Sequence, residues 1–467
     1  MNDPLPPLPA APTPGRYTHY KGGQYRVVGL ARHSETLEPL VVYEALYGAG
    51  GLWVRPAAMF TEEVTIAGLR QPRFRRLPDA RPMRVLLAFD KFKDSLTAPA
   101  ACAVAAAAIQ ERHPDWSIDS CPLADGGEGF ADILTRAAGG TLHATPVTGP
   151  RGQAVTATFG LVPWAQIPAG ARALLDLPAS AAGRPVAVLE MASASGLALL
   201  APAARDPWET TTTGTGELIR AAAAAGAGAV LLGVGGSATH DLGLGALTAL
   251  GLQTVGANGA ALADPIPRHW AEATGFAGAV DPALPPLRIG CDVTNPLAGP
   301  RGAAATYGPQ KGLQAQDLAR LDAASTRLAR ALCAHCGQPE SLAGIPGAGA
   351  AGGIAFGLMA GAGAQLLPGF DLVSAWLDLE ARLAAADLVI TGEGRFDASS
   401  LQGKGPGAVA ARALARGKRV VVLAGQATLP EPPPGLVARS ISPPGLPLAE
   451  ALREAPQRLT AAVRELS

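Results

Sequence analysis

Between residues 84 and 424 the chain repeatedly presents short runs that are apolar across their whole width. They are Arg84–Phe89, Ala187–Met191, Ala229–Val234, Arg288–Val293, Asp387–Thr391 and Arg419–Ala424. A strand with one wet face alternates apolar and polar residues, whereas a run without a polar face belongs in a sheet covered on both sides. Helical stretches lie between the runs, about Thr97–Arg112, Glu217–Ala225, Ala315–Leu332 and Ala408–Arg416. The alternation predicts an α/β fold in which helices cover parallel strands. Two β-rich runs within 141–162 flank Gly149-Pro150-Arg151-Gly152 and read as a hairpin. There the chain is expected to cross into a second lobe inserted within the first.

The N-terminal part reads differently. Residues 1–14 form a Pro-rich tail without the basic and apolar regions of a signal peptide. Over 15–77 most of the tyrosines gather (Tyr17, Tyr20, Tyr25, Tyr43, Tyr47), in short β-favouring runs punctuated by glycine. This predicts a small β-rich domain. Residues 78–82 are a linker, and Met83 opens what reads as a second start.

A chain of 467 residues suits two to three compact units, and 48% hydrophobic against 16% charged residues excludes disorder throughout. Lysine plus arginine (38) balances aspartate plus glutamate (38), so no global field draws nucleic acid or an anionic membrane. No window has the uninterrupted apolar run of a membrane span. The sparse cysteines predict a reduced, cytoplasmic protein. Cys333 and Cys336 read as a bland pair on an alanine-rich helix.

Glycines, acids and lysines cluster just after the apolar runs, where open α/β sheets place ligand loops. The sharpest case is Gly233-Val234-Gly235-Gly236-Ser237-Ala238-Thr239-His240-Asp241. Its glycines and amides suit phosphate, while the bland alternative is a tight turn with Asp241 as a helix cap. Similar loops carry Asp90, Lys91 and Lys93; Asp125 and Glu128; Thr215; Asp292; Lys311; Glu393 and Arg395; and Lys404. There is no Walker A motif, no G-x-S-x-G elbow and no H-E-x-x-H helix. Phosphoryl transfer needs this mixture of amides and lysines for phosphate with carboxylates for Mg²⁺ and for the acceptor hydroxyl. Gly233-x-Gly235-x-x-Ala238 also keeps open a nicotinamide-dependent hydroxyacid dehydrogenase. A third reading is a catalytically silent nucleotide or sugar-acid sensor.

The ordered series Asp90–Ser95, Ala124–Gly129, Thr148–Gly152, Glu190–Leu197, Thr212–Ile219, Gly235–Thr239, Cys291–Leu297, Gly308–Gly312, Gly349–Gly353, Asp387–Asp397 and Gly403-Lys404 resembles the type-1 glycerate kinase family from Met83 almost to the C-terminus. The resemblance implies a two-lobed kinase: a discontinuous Rossmann-like lobe, about 83–145 and 290–467, and an inserted α/β lobe, about 146–289. It implies ATP- and Mg²⁺-dependent phosphorylation of D-glycerate in organic acid catabolism, at the 2-hydroxyl by analogy with bacterial members. Gly235, Gly236, Ser237, Thr239, Thr215 and Lys404 would then hold the nucleotide phosphates. Asp125, Glu128, Lys311 and Arg395 would meet the substrate, Arg395 through its carboxylate. Asp292 and Glu393 would hold Mg²⁺, with Lys93, Lys311 or Lys404 neutralising charge. Asp241 is the favoured base and Asp90 the other candidate.

The sequence departs from the family at His240 and Leu242, where asparagine and glycine are usual, and at Phe89 and Lys91, where proline and serine are common. Residues 15–77 resemble a small bacterial domain of unknown function, in which His33, Glu35, Tyr43 and Arg55 are candidates to line a ligand site against the alternative of a structural network.

Overall fold

A computed structural model describes residues 5, 7–77, 82–398, 400–402, 405–429 and 431–466. The chain divides into two compact units, residues 1–82 and 83–467.

In the first unit Gly15–His19 (β1), Gln24–Arg32 (β2), Pro39–Ala45 (β3) and Leu52–Pro56 (β4) run as an antiparallel meander. A hairpin of Glu63–Ile66 (β5) and Leu69–Pro72 (β6) follows, and Phe74–Arg76 (β7) returns to pair with β1. Alternate residues point to one face, where Tyr17, Val27, Val41, Tyr43, Phe60 and Phe74 make the core. Phe60 stacks on Phe74 with ring centroids 4.0 Å apart. Two of the candidate residues take structural places here. Tyr43 is core, and His33 Nδ1 accepts the backbone N–H groups of Glu35 and Thr36 to shape the turn before β3. Arg55 lies over the Phe74 ring, 5.4 Å from its centroid.

The second unit opens with Arg84–Phe89 (β8) and Ser117–Ser120 (β9), then builds a second sheet. That sheet uses the hairpin Thr141–Thr148 (β10) and Ala154–Val162 (β11), then Val186–Glu190 (β12) and Ala229–Gly233 (β13). An outlying ribbon, Leu252–Gly256 (β14) and Ala273–Gly278 (β15), precedes Leu287–Gly290 (β16) and Gln365–Leu367 (β17), which rejoin the second sheet. The chain then returns to the first sheet with Leu388–Gly392 (β18), Arg419–Ala424 (β20) and Leu436–Ser440 (β22); between these, Arg395–Asp397 (β19) and Gln426–Thr428 (β21) form a small parallel pair.

The first sheet has the order β22-β20-β18-β8-β9 and is parallel throughout. The second runs β10-β11-β12-β13-β16-β17, with β12, β13, β16 and β17 parallel. This moves the lobe boundaries: β10 and β16 both belong to the second sheet, and the return comes at β18 rather than near residue 290. The reason is physical. Leu287–Gly290 is buried on both faces, and a run without a polar side carries no mark of its neighbours.

In the first sheet the chain leaves β8 towards β9 on one side and enters through β18 on the other. The C-terminal ends of β8 and β18 therefore open a crevice at a topological switch point. The C-terminal ends of β13 and β16 supply the facing loops. Among the described residues no helix is long and apolar enough to cross a membrane.

Candidate active site

A cavity of about 620 Å³ lies between these loop ends. The first sheet contributes Lys91, Lys93, Asp125, Glu128 and Gly405 to its wall, and the second contributes Gly235, Gly236, Ser237, Asp292 and Lys311. Loops separated widely in the sequence thus meet around one hollow.

Glycine is what lets them meet. The Gly235 N–H donates to Gly126 O at 2.9 Å. A Cβ on Gly235 would sit 2.7 Å from the Gly127 nitrogen. Gly236 has φ +71°, and a Cβ there would lie 2.7 Å from Glu128 Oε1. Gly235→Ala is therefore expected to push the two loops apart, costing about 1–3 kcal/mol. Thermal melting should register that loss, and the KM for nucleotide should rise with it.

Lys311 stands behind this loop, 1% exposed. Its Nζ donates to Ser237 Oγ at 2.8 Å and Thr239 O at 2.6 Å. Burial pulls its pKa down to about 7, with the Asp241 charge opposing. Because Ser237 Oγ accepts from the ammonium, its own proton is free to face the cavity that Ser237 lines. A buried lysine thus stands one hydroxyl away from the cavity.

Asp241 is not in the wall. It is 1% exposed, and its Oδ2 accepts Thr212 N at 2.7 Å, Thr212 Oγ1 at 2.8 Å and Gly245 N at 3.2 Å. Its Oδ1 accepts Gly243 N at 3.0 Å. Four donors bind the starts of helices Thr213–Ala224 and Leu244–Ala249 to one carboxylate, so Asp241 is a double cap held behind the wall. Beside it, His240 is fully buried, its Nε2 lies 3.2 Å from Ser325 Oγ, and burial lowers its pKa to about 3. It is a neutral packing residue. Leu242 adopts φ +56°, a conformation costing a non-glycine residue about 1–2 kcal/mol. Gly353 and Gly357 leave room for it, since a Cβ on Gly357 would fall 1.9 Å from Leu242 O.

Other expected contacts also move. Thr215 is buried, with Oγ1 2.8 Å from Ser195 Oγ, and Thr239 offers Lys311 only its carbonyl. Neither lines the cavity. Arg395 turns outward, its side chain 71% exposed beside Asp397. Lys404 lies outside the described residues. Asp292 lines the cavity while its Oδ1 accepts Phe370 N at 3.1 Å, capping helix Gly369–Trp376. Glu393 lies on the other side, where burial and the Asp125 charge raise its pKa. The two expected metal ligands therefore come from opposite sheets. Among the described residues no group of three or more His, Cys, Asp or Glu side chains is arranged to hold a metal.

Asp90 sits at the end of β8, 8% exposed, with Oδ1 accepting Lys91 N at 2.7 Å. Burial, then the charge of Asp125, push its carboxyl up to about 7. A Cβ on Gly405, a wall residue, would lie 3.6 Å from Asp90 Oδ2. Lys91 and Arg205 are wall residues to which the sequence assigned no role. Lys91 stood in a motif where Lys93 drew the attention, and Arg205 lies in a proline- and alanine-rich stretch without any pattern.

A family profile described as "Glycerate kinase family" matches residues 85–467. Another, described as "Protein of unknown function (DUF1653)", matches residues 15–76. The chain is 37% identical over 362 residues to the glycerate 2-kinase of Escherichia coli K12, covering 74% of this chain and 86% of that one. It is 36% identical over 391 residues to the glycerate kinase of Bacillus subtilis 168, covering 82% and 97%. A solved structure from Salmonella typhimurium LT2, assigned as glycerate kinase 2, superposes with TM-score 0.63 at 36% identity over 82% of this chain and 97% of the other.

Proposed function

Because the chain belongs to the glycerate kinase family over nearly all of its second unit, we propose that this cleft transfers the γ-phosphoryl group of ATP to the 2-hydroxyl of D-glycerate, giving 2-phosphoglycerate and ADP. The carrying observation is the single cavity that joins the Gly235–Ser237 loop and Lys311 to the acids Asp125, Glu128 and Asp292.

The amide of Gly236 and the Ser237 hydroxyl hold phosphate oxygens, with Lys311 behind them. Arg205 replaces Arg395 as the partner of the glycerate carboxylate: it lines the cavity, and its Nε is buried without a partner among the described residues. Asp90 accepts the hydroxyl proton, since a carboxyl that titrates near neutrality is matched to that task. Asp292 fits Mg²⁺, a hard ion that takes one or two carboxylates when it arrives bound to phosphates. Bound there it would offset charge on the phosphoryl oxygens.

The test is NMR of the product formed from ATP, Mg²⁺ and D-glycerate, with 2-phosphoglycerate expected. Binding of ATP or glycerate without turnover would favour the sensor, and a glycerate-dependent NADH signal the dehydrogenase. Asp90→Asn is expected to lower kcat by about 10²-fold or more while ADP still binds, measured by calorimetry.

A further inference from the structure

The acidic side of the cleft poses a charge problem. Asp90, Asp125, Glu128 and Glu393 collect near the end of the first sheet, and burial or mutual repulsion raises Asp90 and Glu393. The ligands of a phosphoryl transfer are anions as well. Lys91 is the cation set among these groups. Its Nζ lies 2.9 Å from Asp125 Oδ1 and 3.1 Å from Glu128 Oε2. The side chain is 22% exposed, against 49% and 43% for its partners, so the ammonium is sunk between two carboxylates that remain open to the cavity. It rests over the loop backbone, where a Cβ on Gly127 would come within 2.9 Å of Nζ. The charges of Asp125, Asp90 and Glu128 keep it protonated in spite of burial.

Resting on the kinase reading, we propose that Lys91 is a tethered cation occupying the place where Asp125 and Glu128 would otherwise hold a divalent ion, so that the site works with only the metal delivered on the nucleotide. Two carboxylates in reach of one point are a hard-oxygen pair of the kind Mg²⁺ or Mn²⁺ takes. A lysine already bonded to both removes that capacity and leaves its third N–H for an anion in the cavity. It also fixes the loop whose glycines carry Gly235 and Gly236. The transfer itself is unchanged in its balance. The bond between the γ-phosphorus and the β–γ bridging oxygen breaks, and ADP leaves with that electron pair. The glycerate oxygen bonds to phosphorus, and its proton passes to Asp90. Lys91 stays protonated throughout and acts as a positioning residue.

The test compares Lys91→Met, Lys91→Ser and Lys91→Arg with the unaltered protein, each first checked by thermal melting. With ATP and Mg²⁺ equimolar, Lys91→Met is expected to lose at least tenfold in kcat and to recover most of it at millimolar free Mg²⁺ or Mn²⁺. The unaltered protein and Lys91→Arg should gain little from free metal. Without nucleotide or glycerate, Mn²⁺ titration followed by electron paramagnetic resonance should reveal a new bound ion in Lys91→Met and Lys91→Ser, abolished by adding Glu128→Gln. Free-metal dependence equal to that of the unaltered protein, with no gained Mn²⁺, would overturn the proposal. So would Mn²⁺ held by Asp125 and Glu128 in the unaltered protein. The Mn²⁺ titration needs no turnover, so a failed kinase assay and a failed Lys91 assignment remain distinguishable.

Discussion

Asp241→Ala is expected to destabilise the protein by about 3–5 kcal/mol, the scale for stripping a buried charge from its partners. The four donors it satisfies, three backbone N–H groups and the Thr212 hydroxyl, have no water to turn to, for Thr212 is itself fully buried. Burial raises the carboxyl pKa against the pull of these donors. Asp241→Asn keeps the shape but aims an NH₂ group at those donors, so it should be nearly as damaging. Urea unfolding should show a lower midpoint for both variants. The kinetics separate cap from base. Folded Asp241→Asn protein at low temperature should keep much of its kcat, and loss of chemistry in a chain of undiminished stability would restore Asp241 as the base.

Lys311→Met should lower kcat/KM by about 10²–10³-fold, the range for removing one preorganised donor from a developing charge. The effect reaches the ligand through Ser237, so Ser237→Ala should reproduce part of it. Lysine binds anions only when protonated, and burial sets Lys311 to titrate at about 7. In the free enzyme, affinity for anions therefore falls as pH rises through that value. Asp90 must be ionised to accept a proton, which requires pH above its own value of about 7. The kcat/KM profile should be a narrow bell centred near neutrality, and bound substrate, an anion beside Lys311, should carry the alkaline limb of kcat upward.

Stability follows its own sign. The folded lysine releases its proton near 7 and the unfolded one near its ordinary value of 10.5. Between those values the unfolded chain holds a proton the folded one lacks, so this group makes stability rise with pH. Melting temperatures across that window should lose this rise in Lys311→Met.

The α/β class and the buried strands were legible because a strand covered on both faces leaves no polar alternation, and Val186–Glu190, Ala229–Gly233 and Arg419–Ala424 say so in their own residues. Partners were not legible. Nothing in Leu287–Gly290 distinguishes pairing with β13 from pairing with β18, and the inserted lobe was therefore drawn too short. At the site, loop glycines announced themselves, since a backbone that must touch another backbone can carry no side chain. What surrounds each carboxylate was hidden. Asp90 and Asp241 both follow a buried strand, and only the fold shows that one is ringed by helix-start amides while the other borders Gly405. Arg395 turns outward for the same reason: a strand end gives the position of a side chain along the chain but not the direction it takes.

The pairing of β8 with β18 has a consequence for how the protein comes into being. Thr391 and Ala88, bonded across these strands, are 303 residues apart in the chain. A ribosome delivers β8 and β9 before the second sheet, and their sheet must then wait until that whole sheet has been made before its central neighbour β18 emerges. The second sheet, complete once β17 has appeared, can consolidate meanwhile. Assembly should thus proceed from the inserted lobe outward, with the closing of the first sheet as a late and slow step. The catalytic hollow, which needs the ends of both sheets, exists only after β18 has joined β8.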